Sequence, residues 1–334
     1  MIKIITVSDI QKIIRTMGIE KFFSNFIVML EKEYARWNDF HKSPRHATHV
    51  KNGVIEVMPI CDDELYSFKF VNGHPNNTKK NKLTVVALGL LADVKTGYPL
   101  CISEMTLLTA IRTAATSALA AKYLARKNTK KAGIIGTGAQ SEFQVVALKS
   151  QFDIDTVKYF DLDGIAMEKF SRNLKNQQFK LVRCDSAKDV LENVDVITTA
   201  TANKSSAIIL ENNWIQNGLH INGIGGDCPG KTELDKKILE RAKIVVEYLP
   251  QSRIEGEIQQ TSAPIYAELW ELVAGLKKGR EHDREITLFD SVGFALEDFA
   301  ILKFIYKYSL QNNTGAEINL IPNLSNPKDL FSQI

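Results

Sequence analysis

The sequence predicts an α/β protein in two parts, and three observations carry that prediction. A short apolar run, Ala132-Gly133-Ile134-Ile135, leads into Gly136-Thr137-Gly138-Ala139-Gln140-Ser141 and then into a helical stretch from Glu142 to Ser150. Beyond it, strand-like and helix-like segments alternate, which is the pattern of a parallel sheet with crossover connections. The residues before it read instead as β-rich with flanking helices.

Strand, glycine turn and helix in that order present backbone N–H groups and a helix N-terminus to a pyrophosphate. Gly136 permits the tight turn and Gly138 lets the backbone approach the phosphates, while Ser141 replaces a third glycine with another small residue. Roughly 20 residues on, as the dinucleotide fingerprint requires, the run Thr156–Phe160 ends at Asp161. That acid is placed to accept the ribose hydroxyls, and it favours NAD over NADP because it would repel a 2′-phosphate. The segment is therefore expected to be a Rossmann-type dinucleotide-binding domain. Further strands are expected at Lys180–Arg183, Asp195–Thr199, Leu219–Gly223, Ile244–Tyr248 and Thr287–Asp290, with a helix from Ala295 to Tyr308. In the first part an amphipathic helix is expected from Ile19 to Trp37, with alternating runs at Gly53–Ile60 and Tyr66–Val71. Thr84–Asp93 and Tyr98–Ser103 form a hairpin around Asp93-Val94-Lys95-Thr96-Gly97, and a helix runs from Met105 to about Arg126. The expected organisation is an α+β domain made of residues 1–120 and 300–334, with the nucleotide domain, 121–299, inserted between them.

Composition agrees. A chain of 334 residues has room for two domains, and 44% hydrophobic and 24% charged residues are ordinary for a globular protein. A net charge of +3 is too small to suggest a nucleic-acid partner. The basic clusters at Lys79/Lys80/Lys82, Arg126/Lys127/Lys130/Lys131 and Lys277/Lys278/Arg280 lie at element ends and read as solvated surface. Cys61, Cys101, Cys184 and Cys228 are scattered without a CxxC pair, so neither a disulfide framework nor a zinc site is expected, and a reducing, cytoplasmic setting is. No apolar run approaches the roughly 18 residues of a membrane span, and the start lacks a signal-peptide core. His41, His46 and His49 do not share a helical face and HExxH is absent, so no metal is expected.

Five residues outside the glycine loop invite a chemical reading. Leu108, Arg112, Ala115 and Leu119 share one helical face, and a guanidinium on an apolar stripe demands an anionic partner, either a structural acid or a substrate carboxylate. Lys69 shares a strand face with Ser67 and Val71, and Glu56 stands between apolar neighbours; solvent is the ordinary destination of both. Arg45 is uninformative by itself. Asp227 sits on a glycine-crowded loop after a strand, where doubly wound sheets collect ligands, as a general acid/base or as a cap for a helix starting near Thr232. Cys228 beside it has no histidine in view and reads as packing.

At this point the chain resembles the ornithine cyclodeaminase/mu-crystallin family, essentially end to end. The resemblance rests on Lys42-Ser43-Pro44-Arg45, Lys69-Phe70-Val71-Asn72-Gly73-His74-Pro75, Ser103-Glu104 through Arg112-Thr113-Ala114-Ala115, and the glycine loop through Phe143. It continues through Gly225 to Leu234, Arg253 to Gln260 and Phe289 to Asp298. The Gly-Gly-Asp-Cys-Pro-Gly-Lys and Asn-Gly-His-Pro stretches point to its cyclodeaminase branch. The resemblance implies a homodimer that pairs β-structure of the substrate-binding domain across the subunit interface. It implies that Arg45, Lys69 and Arg112 grip the substrate carboxylate, that Asp227 is the acid/base at the reacting amino groups, and that Glu56 meets the distal amine. Val292 would lie near the substrate, and Thr84, Ala139, Gln140, Asp161, Thr201, Lys231 and Ser291 would contact NAD. The implied reaction takes L-ornithine to L-proline and ammonia: a hydride is lent to NAD+, the resulting imine is attacked by the δ-amine, and the hydride returns. The rival readings are an amino-acid dehydrogenase or cyclic ketimine reductase of the same family, in which Glu56 would meet no distal ammonium, and a non-enzymatic binding protein.

Overall fold

Among the described residues, two eight-stranded sheets organise the computed structural model of the chain, which covers residues 1–201 and 207–334. The first contains β1 (Ile2–Ile5), β2 (His41–Lys42), β3 (His46–Val50), β4 (Gly53–Cys61), β5 (Leu65–Gly73), β6 (Val85–Asp93) and β7 (Pro99–Glu104). Helices α1 (Val7–Met17) and α2 (Ile19–Ala35) separate β1 from β2, and α3 (Thr106–Leu124) follows β7. The expected first helix is thus preceded by another. Gly18, at φ +82°, turns the chain between the two in a conformation that suits glycine.

Strands β4, β5 and β6 form an antiparallel meander in which Glu56 pairs with Val71, Met58 with Lys69, and Lys69 with Gly89. Side chains alternate across a strand, so this register puts Glu56, Met58, Lys69, Val71, Ala87 and Leu91 on one face. All six are buried. The opposite face carries Val57, Phe70, Val86 and Leu88, all exposed, Leu88 by 53%. Solvent is therefore not where Lys69 and Glu56 go, and the wet face of this sheet is apolar too.

The second sheet contains β8 (Lys131–Ile135), β9 (Thr156–Phe160), β10 (Lys180–Arg183), β11 (Val196–Thr199), β12 (His220–Gly223), β13 (Lys243–Val246), β14 (Ala267–Glu268) and β15 (Thr287–Asp290). Its order is β10-β9-β8-β11-β12-β15-β13-β14, with every pair parallel. Helices α4 (Ser141–Lys149), α5 (Gly164–Leu174), α6 (Ala187–Leu191), α7 (Lys236–Leu239), α8 (Leu249–Glu255) and α9 (Leu269–Val273) fall between the strands, and α10 (Ala295–Gln311) follows β15. This is the expected doubly wound sheet. Its strand order reverses between β8 and β11, where such folds open a crevice at the strands' carboxyl ends. The chain then returns as β16 (Ala316–Ile318), which pairs antiparallel with β1 in the first sheet.

Two helices join the sheets. Helix α10 packs on β4, β5 and β6 and on α2, while α3 touches β6 and α10 on one side and β12 and β15 on the other. An alanine-rich sequence makes this double contact possible. Residues 114–121 of α3 are all buried, a wider face than the single stripe through Arg112 suggests. Not every basic cluster is solvated: Arg126 pairs with Asp195, and Arg280 donates to the Leu124 and Glu285 carbonyls, holding the entry to β8 and β15.

Candidate active site

The crevice between β8 and β11 is lined by the glycine loop. Gly136 has φ +94°, and a Cβ there would stand 2.5 Å from the Ala200 carbonyl oxygen, so only glycine lets the two strand ends approach. A Cβ on Gly138 would meet nothing within 4 Å, which leaves the loop open on the side a phosphate needs. The Ser141 hydroxyl donates to the Gly138 carbonyl at 2.8 Å as α4 begins. Asp161, at the end of β9, accepts from the Thr137 N–H at 2.6 Å and its hydroxyl at 3.1 Å, and from the Asp163 N–H at 3.0 Å. It therefore braces the loop as well as facing the crevice. Gln140 keeps a buried Oε1 with no partner. An open Gly138, an anchored acid and an unpartnered Gln140 oxygen fit a dinucleotide. Ala139 is exposed beside them; Thr84 comes from the first sheet, just before β6, its carbonyl accepting from the His74 N–H.

Across the crevice, Thr201 follows β11. Its N–H donates to Glu233 Oε1 at 2.9 Å, its hydroxyl donates to the same oxygen, and its carbonyl accepts from Lys231 Nζ at 3.1 Å. Lys231 also reaches Asp227 Oδ1 at 3.0 Å. Burial lowers the Lys231 pKa, but Asp227 outweighs it and holds the ammonium charged. Asp227 stands on the loop after β12 with its side chain 55% exposed, the accessibility a group that meets a ligand needs. It caps no helix: α7 starts at Lys236 and is capped by Asp235. Gly225 and Gly226 bring this loop down onto the carboxylates of Glu233 and Glu257, which occupy the space their Cβ atoms would take.

The remaining residues converge from the first sheet. Lys69 Nζ lies 2.9 Å from Asp298 and is 1% exposed; burial and the neighbouring Arg112 push its pKa down to about 8 against the pull of Asp298. Arg112 Nη1 donates to Glu297 at 2.6 Å, and its Nε lies 3.1 Å from Asp298. Burial works against the Arg112 charge, yet Asp298 and Glu297 raise its pKa well above the usual value. Arg45 Nη2 donates to the carbonyls of Val292 (2.6 Å) and Gly293 (2.8 Å), Nη1 faces Glu56 at 3.3 Å, and Nε lies 3.2 Å from Glu255. Arg45, its side chain mostly enclosed, stays charged because Glu255 and Glu56 overcome the desolvation. Ser291, buried, donates its hydroxyl to Glu247 at 2.6 Å.

The structure thus forms two neighbouring ion clusters, Arg45 with Glu56 and Glu255, and Lys69 with Arg112, Asp298 and Glu297. They are near enough for Arg45 to act electrostatically on Lys69 and Arg112 on Arg45, with the Val292 carbonyl on Arg45. Asp227 lies close enough to act electrostatically on Arg45 and Glu255. Four acids in this region have no role in the sequence reading. Asp298 and Glu297 occupy the first turn of α10, a favourable place for acids beside a helix N-terminus. Glu255 ends α8, and burial, reinforced by Glu56 and Asp227 and opposed by Arg45, pushes its carboxyl up to about 7. Glu247 follows β13. The one available signal was acids on otherwise apolar segments, as at Val245-Val246-Glu247 and Leu296-Glu297-Asp298.

Comparison with known proteins places the fold in a family. The sequence profile of the Ornithine cyclodeaminase/mu-crystallin family matches residues 7–313. An ornithine cyclodeaminase of Agrobacterium fabrum is 48% identical over 332 residues, spanning 99% of this chain and 94% of that protein. The structure of a lysine cyclodeaminase, studied for its recognition of L-lysine, L-ornithine and L-2,4-diaminobutyric acid, superposes with a TM-score of 0.93 at 27% identity, over 99% of this chain and 98% of that one. An archaeal alanine dehydrogenase dimer with bound NAD superposes with a TM-score of 0.88 at 35% identity, over 96% and 99% of the two chains. The chain belongs to the ornithine cyclodeaminase/mu-crystallin family.

Proposed function

We propose that this protein is an NAD-dependent ornithine cyclodeaminase, a lyase that converts L-ornithine to L-proline and ammonia. One observation carries the reading: three cations, buried Lys69 and Arg112 and Arg45 with its side chain 9% exposed, and three acids, Glu56, Glu255 and Asp227, come together beside the dinucleotide crevice. A diamino acid needs that division, with cations for its carboxylate and acids for two ammonium groups. Alanine or a cyclic ketimine offers no distal ammonium, and Glu56 and Glu255 would then have Arg45 alone to pair with.

In this reading Gly136, Gly138, Ala139, Gln140 and Asp161 hold NAD on one side, with Thr84, Thr201, Lys231 and Ser291 completing its contacts. NAD+ supplies a reversible hydride acceptor at the substrate α carbon. Arg45, Lys69 and Arg112 fix the carboxylate, and so the face of the α carbon turned to the cofactor. Asp227, exposed and beside Lys231, takes a proton from the α-ammonium and later delivers protons as ammonia leaves. Glu56, with Glu255 beside it, holds the distal amine over the α carbon, where ring closure gains from a pre-set geometry. Residues 1–120 and 300–334 serve as the substrate-binding and dimerisation domain, and residues 121–299 as the NAD domain. A second copy covering Val57, Phe70, Val86 and Leu88 would account for their exposure, and favours a homodimer. Four cysteines without a disulfide suit the cytoplasm.

The test supplies L-ornithine with a trace of NAD+ and follows proline, ammonia and NADH absorbance together. Many turnovers of proline and ammonia with no lasting NADH signal are expected. Stoichiometric accumulation of NADH would replace the lyase with a dehydrogenase.

A further inference from the structure

The turn Ser291-Val292-Gly293 is held from both sides by side chains far apart in sequence. Beneath it lies Glu247, fully buried at the end of β13. Its Oε1 accepts from the Ser291 hydroxyl at 2.6 Å and the Gly293 N–H at 3.1 Å, and its Oε2 from the Val292 N–H at 2.9 Å. Above it, the carbonyls of Val292 and Gly293 receive Arg45 Nη2 at 2.6 and 2.8 Å. Gln251 ties the same pieces again: its Nε2 donates to the Gly293 carbonyl at 2.6 Å, and its Oε1 accepts from the Arg45 N–H at 3.2 Å. Gly293 adopts φ +77°, and a Cβ there would fall on the guanidinium of Arg112.

One carboxylate therefore fixes three donors of a turn whose carbonyls aim Arg45 and whose missing side chain seats Arg112. We infer that Glu247 is a positioning residue: it clasps the Ser291–Gly293 turn and through it orients Arg45 and Arg112 toward the substrate carboxylate. This rests on the cyclodeaminase reading above. Glu247 is fully buried with both carboxylate oxygens on the turn, so it acts through the turn. A glutamine in its place cannot reproduce the clasp, because its amide NH2 would meet an N–H or O–H donor where a second acceptor is needed.

The test uses the full-length protein and compares Glu247→Gln, Arg45→Lys and the double variant. Loss of hydrogen bonds around a buried carboxylate should raise the KM for L-ornithine by roughly ten- to a hundredfold in Glu247→Gln. Binding of L-proline to the NAD-loaded protein should weaken in parallel, while kcat falls less. Because Glu247 acts through Arg45, the double variant should show less than the product of the two single effects. A full product, or an unchanged KM in folded Glu247→Gln, would overturn the inference and leave Glu247 a stabilising residue only. Should Glu247→Gln fail to fold, Gly293→Ala displaces the same turn from its other side and is expected to raise KM likewise; an unchanged KM there would overturn it too. If the unaltered protein makes proline from ornithine but these variants behave as wild type, the inference alone falls. If the unaltered protein neither makes nor binds proline, the functional reading falls and takes the inference with it.

Discussion

Lys69→Met is expected to leave the protein more stable and a poorer binder of its substrate. Lys69 is 1% exposed, and its pKa stands at about 8 rather than 10.5. A displacement of about 2.5 pKa units corresponds to about 3 kcal/mol of cost in carrying the charge at neutral pH. Methionine has similar length and no charge to desolvate, and Arg112 Nε stays 3.1 Å from Asp298 as an ion pair, but Asp298 loses the hydrogen bond from Lys69. The net gain at pH 7 should therefore stay below that figure. Its pH dependence follows from the direction of the shift. Between about pH 8 and 10.5 the unfolded chain binds more protons than the folded one, so wild-type stability climbs through that window and the advantage of the variant shrinks. Function moves the other way. Losing one charge-assisted hydrogen bond to a carboxylate costs about 1.5–3 kcal/mol, or roughly ten- to a hundredfold in KM. Urea unfolding at pH 7 and pH 10, set beside ornithine kinetics, reads both effects. A variant destabilised at pH 7 whose KM is unchanged would refute the reasoning and make Lys69 a purely structural partner of Asp298.

Asp227→Asn should abolish proline formation while NAD+ binding, followed by quenching of tryptophan fluorescence, stays largely intact; normal turnover by this variant would remove the acid/base role. Gly136→Ala should lose about 2 kcal/mol or more of stability, because a left-handed backbone is strained for alanine and its methyl group meets the Ala200 carbonyl, and NAD+ affinity should fall with it. A denaturation midpoint equal to that of wild type would contradict that packing argument. Asp161→Ala should weaken NAD+ about tenfold and narrow the preference over NADP+, since it removes both an acceptor for ribose and the brace on Thr137. Equal discrimination in competition titrations of the two cofactors would count against a ribose contact.

The parallel sheet and its crevice were legible because their signals are local. A glycine that must adopt positive φ, a strand ending in an acid and the alternation of strand and helix are each visible within some tens of residues. Less was legible in the first sheet. Strand β1 and the edge strand β16 are only four and three residues long, too short to show a period of their own, whereas α1 does carry an amphipathic pattern, with Ile10 and Ile13 on its buried side. For the site, the period-2 pattern grouped Lys69 with Ser67 and Val71 correctly. It could not tell which face of the sheet is covered, because that depends on α10, more than two hundred positions away. Arg45 said nothing alone, since its partners Glu255, Val292 and Gly293 come from α8 and the turn after β15.

What the sequence determined by itself is therefore the class of fold, the place of the dinucleotide loop and, through resemblance, a set of charged side chains proposed to meet a substrate. Only the tertiary structure decided the company those side chains keep. Asp298 between Lys69 and Arg112, Glu255 beside Arg45 and Glu247 under the turn are long-range juxtapositions. Periodicity and backbone preference are properties of neighbouring residues, and a sequence displays them. Charge state in a buried site is set by desolvation and by partners brought from other strands and helices, and that information exists only once the chain has folded.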